Sequence, residues 1–153
     1  MKPASKITAR RVEVFPGRLR IWVALAADAP RQVSEGMVAA AYEAYPTLPL
    51  HSCINSRGPT FGDVAVGTSV PHLLEHVVIA EQVRLAAEAE RLQADAAEAE
   101  RPRNATFVGT TEWCEGGAAR GEAIVEVSFV DDLQALEALS RALVFLGATL
   151  DRF

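Results

Sequence analysis

The run between Pro71 and Pro102 constrains this chain most. From Ala80 to Glu100 it is rich in Ala, Glu, Leu, Arg and Gln, residues that lose little conformational freedom in a helix, so the helix that begins near Pro71 is predicted to run to Arg101, and Pro102 stops it. Thr68 or Ser69 offers a capping hydroxyl, and Pro71 falls in the first turn, where its missing N–H costs nothing. The predicted helix is about 45 Å long at about 1.5 Å per residue, more than one domain of 153 residues covers. Residues 83–101 are therefore expected to form a helical extension that projects or makes a homo-oligomer contact. The alternating Ala-Glu tract also reads as a low-complexity solvated face.

Other elements arrange themselves around this helix. Residues 11–15 and 18–25 alternate apolar and polar side chains about Pro16-Gly17, a hairpin pattern, with residues 1–10 expected to be flexible. Ser34 caps a helix reaching about residue 45, with Met37, Val38, Ala41 and Tyr42 as its apolar stripe. Residues 50–68 are loop-like, punctuated by Asn55, Gly58, Pro59, Gly62 and Gly67. Residues 105–110 and 122–130 read as antiparallel strands about a Gly116-Gly117 turn. Asp131 or Asp132 opens a last helix that ends near Gly147 and carries Leu133, Leu136, Leu139, Ala142, Leu143 and Leu146 on one face. The order predicts an α+β domain spanning 1–153: a largely antiparallel sheet with helices packed on one side and one long projecting helix.

Composition narrows the function. Half the residues are apolar and 23% are charged, the balance of a soluble globular domain with a core of its own. No apolar run approaches the roughly 18 residues of a membrane span, and the N-terminus lacks the pattern of a secretory signal, so the expected address is cytoplasmic and no membrane partner is expected. A formal charge of -5, with acids crowded between 88 and 100, argues against nucleic acid. Cys53 and Cys114 are too few for a disulfide framework and lack zinc-ribbon spacing.

The chemistry concentrates in His72-Leu73-Leu74-Glu75-His76, which holds two of the three histidines. Positions i, i+3 and i+4 share a helix face, so both imidazoles can meet one metal while Glu75 beside them serves as general base. This HxxEH order is the inverzincin pattern. A catalytic zinc needs a third protein ligand and an open position. His51 and Cys53 are local candidates, two residues apart on one face of an extended segment; His51 can alternatively orient substrate. Zinc is the expected ion, and cobalt, manganese or iron also suit such donors.

The motif order is similar to that of the insulysin and pitrilysin peptidases, whose third ligand is a downstream glutamate; that likeness points to Glu126. A longer stretch, Tyr45-Pro46-Thr47-Leu48-Pro49-Leu50-His51-Ser52-Cys53, then Ser56-Arg57-Gly58-Pro59, Phe61, Gly67-Thr68, the HxxEH helix and Glu81-Gln82, resembles the N-terminal domain of cyanophycin synthetases. Phe107 to Thr111 and the closing strand and helix extend the likeness from about Val12 to Leu146. The family's lysine and arginine near Thr110 to Glu112 are absent, Ser128 stands where an acid is usual, and 83–101 is an insertion. The resemblance implies a metal-dependent hydrolase acting on the aspartate–arginine polymer, with Arg57 matching a loop arginine that binds a carboxylate. The nucleotide-using ligase domains of those synthetases are not among these residues, so the expected activity is zinc-dependent cleavage of an amide or peptide bond, in cyanophycin or a related aspartate-based peptide. The competing expectation is a non-catalytic polymer-binding or accessory module that docks on a ligase.

Overall fold

The structure, a computed structural model, describes residues 3–93 and 106–153. Four strands form one antiparallel sheet in the order β1-β2-β4-β3, with β1 at Ile7–Phe15, β2 at Arg18–Leu25, β3 at Gly109–Trp113 and β4 at Glu122–Ser128. The helices are α1 (Glu35–Ala44), α2 (Val70–Gln93), a single turn α3 (Gly117–Arg120) and α4 (Asp132–Arg152). The expected α+β class and element order hold.

Alternation along the strands sets the two faces of the sheet. Leu19, Ile21 and Val23 of β2, with Ala123, Val125 and Val127 of β4, are buried under α2 and α4, which pack side by side on this one face. Burying each of the valine, leucine and isoleucine side chains contributes about 1.5–3 kcal/mol. The opposite face carries Arg18, Arg20 and Glu126. Tyr45, just after α1, donates from its hydroxyl to the buried Glu81 of α2 at 2.7 Å, and Gln82 donates to the Ser128 carbonyl at 3.1 Å. These contacts fix the rotation of α2 over the sheet.

Four expectations need correction. Residues 7–10 are not flexible: β1 begins at Ile7, which is 2% exposed. The strand expected over 105–110 starts at Gly109, with 106–108 outside it and 105 outside the described residues. The last helix runs through Gly147 to Arg152; that glycine gives room to Ser5, whose Oγ a Cβ there would meet at 2.9 Å, instead of ending the helix. Finally, α4 does have the length and apolar composition of a membrane-crossing helix, but 44% of that stretch is buried, with Ala135, Ala138, Ala142, Leu146 and Leu150 in the core. The long helix is seen as far as Gln93; the 94–101 part of the predicted extension lies outside the described residues. Within 83–93, Leu85 packs on the core and Glu88 lies 3.7 Å from Arg141 of α4, so at least the start of the extension lies along α4.

Candidate metal centre

The start of α2 is built as the sequence indicates. Ser69 Oγ accepts the His72 backbone N–H at 3.2 Å, Pro71 follows in the first turn, and His72, Glu75 and His76 emerge on one face. Thr68 is left to meet the His72 ring, its Oγ1 2.7 Å from Nδ1.

Cys53 arrives from the loop. A bridge between Ser52 and Thr60 closes that loop, and the Asn55 side chain laces it, donating to the carbonyls of Cys53 and Thr60 at 3.2 and 3.3 Å and accepting from the backbone N–H groups of Arg57 and Gly58. The result places Cys53 Sγ 3.5 Å from His72 Nε2. Donor atoms of Cys53, His72 and His76 all lie within 4.8 Å of one another, a group able to hold a metal ion.

The donors fit such an ion. Tetrahedral bonds of about 2.3 Å to sulfur and about 2.0–2.1 Å to nitrogen put the two atoms about 3.5 Å apart, the separation found between Cys53 Sγ and His72 Nε2. The second imidazole is partnered on one side only: His76 Nδ1 lies 3.2 Å from His51 Nδ1, while His76 Nε2 is buried with no hydrogen-bond partner among the described residues. Orphaned buried nitrogens are rare in folded proteins, and a cation held there would satisfy this one. Thr68 and His51 would then occupy the nitrogens that do not ligate, outer contacts of the kind that fix a histidine ligand's tautomer and orientation.

Electrostatics favour the same use. Burial holds His51 and His72 below the ordinary imidazole range and takes His76 down to about 3, helped by the neighbouring His72 and His51. All three rings are neutral at physiological pH, as ligation requires. Burial pushes the Cys53 thiol up, so a bound cation has a proton to displace there. Phe61, fully buried, lies against both rings, with centroids 4.3 Å from His76 and 5.3 Å from His72.

Glu75 is 4% exposed. Burial raises its carboxyl to about 7, with the Thr111 hydrogen bond opposing. Thr111 Oγ1 donates to Oε2 at 2.5 Å, and the other oxygen, Oε1, faces His76 Nε2 at 3.9 Å. The helix approaches so closely because Gly109 has no side chain: a Cβ there would stand 2.7 Å from Glu75 Cγ and 2.8 Å from the Glu126 carbonyl. These groups line a cavity of about 730 Å³.

The other candidates fall differently. Glu126 is not beside the histidines. It is an outward residue of β4, on the sheet face away from α2, and is paired with Arg20 at 2.6 Å and Arg18 at 3.5 Å; strand alternation places its neighbours Val125 and Val127 inward instead. His51 lines the cavity but supports His76 rather than completing the donor group. Arg57 is exposed and outside the cavity lining, which leaves it no part in a carboxylate site there. Thr111 and Gly109 adjoin Glu75 but are not among the predicted site residues; the likeness over Phe107 to Thr111 assigns them no role. Both stand on a strand some 35 residues from the motif, and nothing in their local pattern announces a partner on α2.

No family model matches the chain, and no curated protein and no solved structure matches it either.

Proposed function

We propose that this protein is a zinc-dependent hydrolase of amide or peptide bonds, with Cys53, His72 and His76 as the protein ligands and Glu75 as general base. One observation carries the reading: a carboxylate with one oxygen tied back by Thr111 and the other turned toward the unpartnered nitrogen of His76, at the wall of a cavity wide enough for a peptide segment. A purely structural zinc site is closed by four protein ligands, whereas one thiolate and two imidazoles leave a position open. A mixed sulfur and nitrogen set suits zinc, and cobalt as its substitute. Bound there, the ion supplies Lewis acidity toward the scissile carbonyl and toward water.

The chain's own residues do the rest. Glu75 Oε1 takes the proton of the attacking water and returns it to the leaving amine, a role suited to a carboxyl held near neutrality. Thr111 keeps Oε2 occupied, so the proton is handled at one oxygen. Thr68 and His51 hold the ligand rings, and Phe61 excludes water behind them. The likeness to cyanophycin synthetase N-terminal domains adds the aspartate–arginine polymer as one substrate to assay.

The test is metal content and hydrolysis measured on the same samples. The chain is expected to hold one zinc, to lose it in Cys53→Ala and His72→Ala, and to keep it in Glu75→Gln while hydrolysis of a mixed peptide library falls by about 10²–10⁴-fold. Stoichiometric zinc with no hydrolysis in the wild type leaves a structural or accessory site and ends the enzyme reading.

A further inference from the structure

We infer that the cavity beside the metal centre takes an apolar side chain, so that the amide bound there is flanked by an aliphatic or aromatic residue and not by aspartate or arginine. The stripe that carries His72, Glu75 and His76 continues along α2 at the same spacing to Ile79 and Val83, both of which line the cavity. Positions 72, 75, 76, 79 and 83 form one helix face, polar at its start and apolar for about 10 Å beyond His76. Phe107, Val108 and Ile54 also line the cavity.

Three of these residues are unusually open for their type: Ile54 is 107%, Val108 64% and Val83 49% exposed. They are grouped about one concavity instead of being scattered singly, the arrangement of a ligand site. Charge points the same way. Among the described lining residues there is no lysine, arginine or aspartate, and Glu75 is the one carboxylate. Apart from the proposed ion, an aspartate side chain would meet no cation among the described lining residues and would face Glu75. Among the described lining residues an arginine would find only Glu75, one of whose oxygens is held by Thr111 while the other faces the metal ligand His76. Unpaired charge in such a place is costly, whereas each added apolar group favours binding.

This inference rests on the hydrolase reading for the bond that is cut, but not for what the cavity holds. Binding can therefore be measured apart from cutting, on zinc-loaded full-length Glu75→Gln titrated by calorimetry with N-acetyl-Leu-Leu-amide and with N-acetyl-Asp-Arg-amide. The leucine peptide is expected to bind at least about tenfold more tightly. Val83→Asp and Ile54→Asp, changes at exposed side chains that the fold tolerates, are expected to abolish that preference with zinc content unchanged. Equal or tighter binding of the Asp-Arg peptide, binding of neither, or a preference indifferent to both substitutions overturns the inference. Zinc-loaded wild-type protein that binds the leucine peptide but cuts nothing in the mixed peptide library refutes the hydrolase reading and leaves the apolar site standing.

Discussion

At the scale of single residues, the contact that decides most is the shortest one at Glu75. A carboxylate has two oxygens, and a base that must take and return a proton works best when only one is available in a fixed direction. Thr111 Oγ1, 2.5 Å from Oε2, enforces that choice, and hydrogen bonds to charged groups contribute about 1.5–3 kcal/mol. Thr111→Val is therefore expected to lower kcat about 10- to 100-fold while KM and zinc content stay near wild type, and Thr111→Ser, which restores the hydroxyl, is expected to recover most of the loss. A serine variant as slow as the valine variant would assign Thr111 to packing. His72, Glu75 and His76 were legible in the sequence because one helix turn brings them together. Cys53 was legible only as one choice among three, since its approach to α2 depends on the loop that Asn55 closes. Thr111 was legible only as part of a stretch of likeness, not as a partner of Glu75, because their meeting is made by the packing of a helix on a strand.

Elements show the same division between local and distant causes. Ser34 and Asp131 accept hydrogen bonds from Met37 and Gln134 and start α1 and α4 where the sequence indicates, because capping is a contact over three residues. The start of β1 was hidden by the irregularity between Ala9 and Arg11, which breaks the period-two pattern used to recognise a strand. Gly147 reads as a helix end but serves a close approach to Ser5, something only the tertiary fold reveals. Gly109 is the functional counterpart. With Glu75 Cγ at 2.7 Å and the Glu126 carbonyl at 2.8 Å from any added Cβ, Gly109→Ala must push α2 off β3 or β3 off β4. A loss of about 1–3 kcal/mol is expected, the usual cost of overpacking, seen as a lowered midpoint in urea. Hydrolysis should fall further than stability explains, because Glu75 is the group displaced. An alanine variant with wild-type kcat would show that α2 can shift without moving the base.

For the whole molecule, the site opposes the stability of the metal-free protein, and pH reveals how. Glu75 has a carboxyl raised from 4.5 to about 7; between those values the folded state holds the proton and the unfolded chain does not, so stability falls as pH rises through that window. His76 is lowered from 6.5 to about 3; here the unfolded chain holds the proton, and stability rises with pH between about 3 and 6.5. A tenfold change in proton affinity is worth about 1.4 kcal/mol, which makes the two effects on the order of 3 and 5 kcal/mol. They oppose each other between 4.5 and 6.5, leaving a rise below that range and a fall above it. Replacing Glu75 by Gln removes the fall alone. Chelator-treated Glu75→Gln is therefore expected to unfold at a higher temperature than chelator-treated wild type at pH 8, by about 6–12 °C for a domain of this size, and to match it near pH 4. Zinc should stabilise the wild type at pH 8 by binding only the folded chain. Melting curves of the two metal-free proteins that run parallel from pH 4 to pH 8 would mean that Glu75 ionises in the folded state as easily as in water, and the close fit of α2 against Gly109 would then be looser than the structure shows.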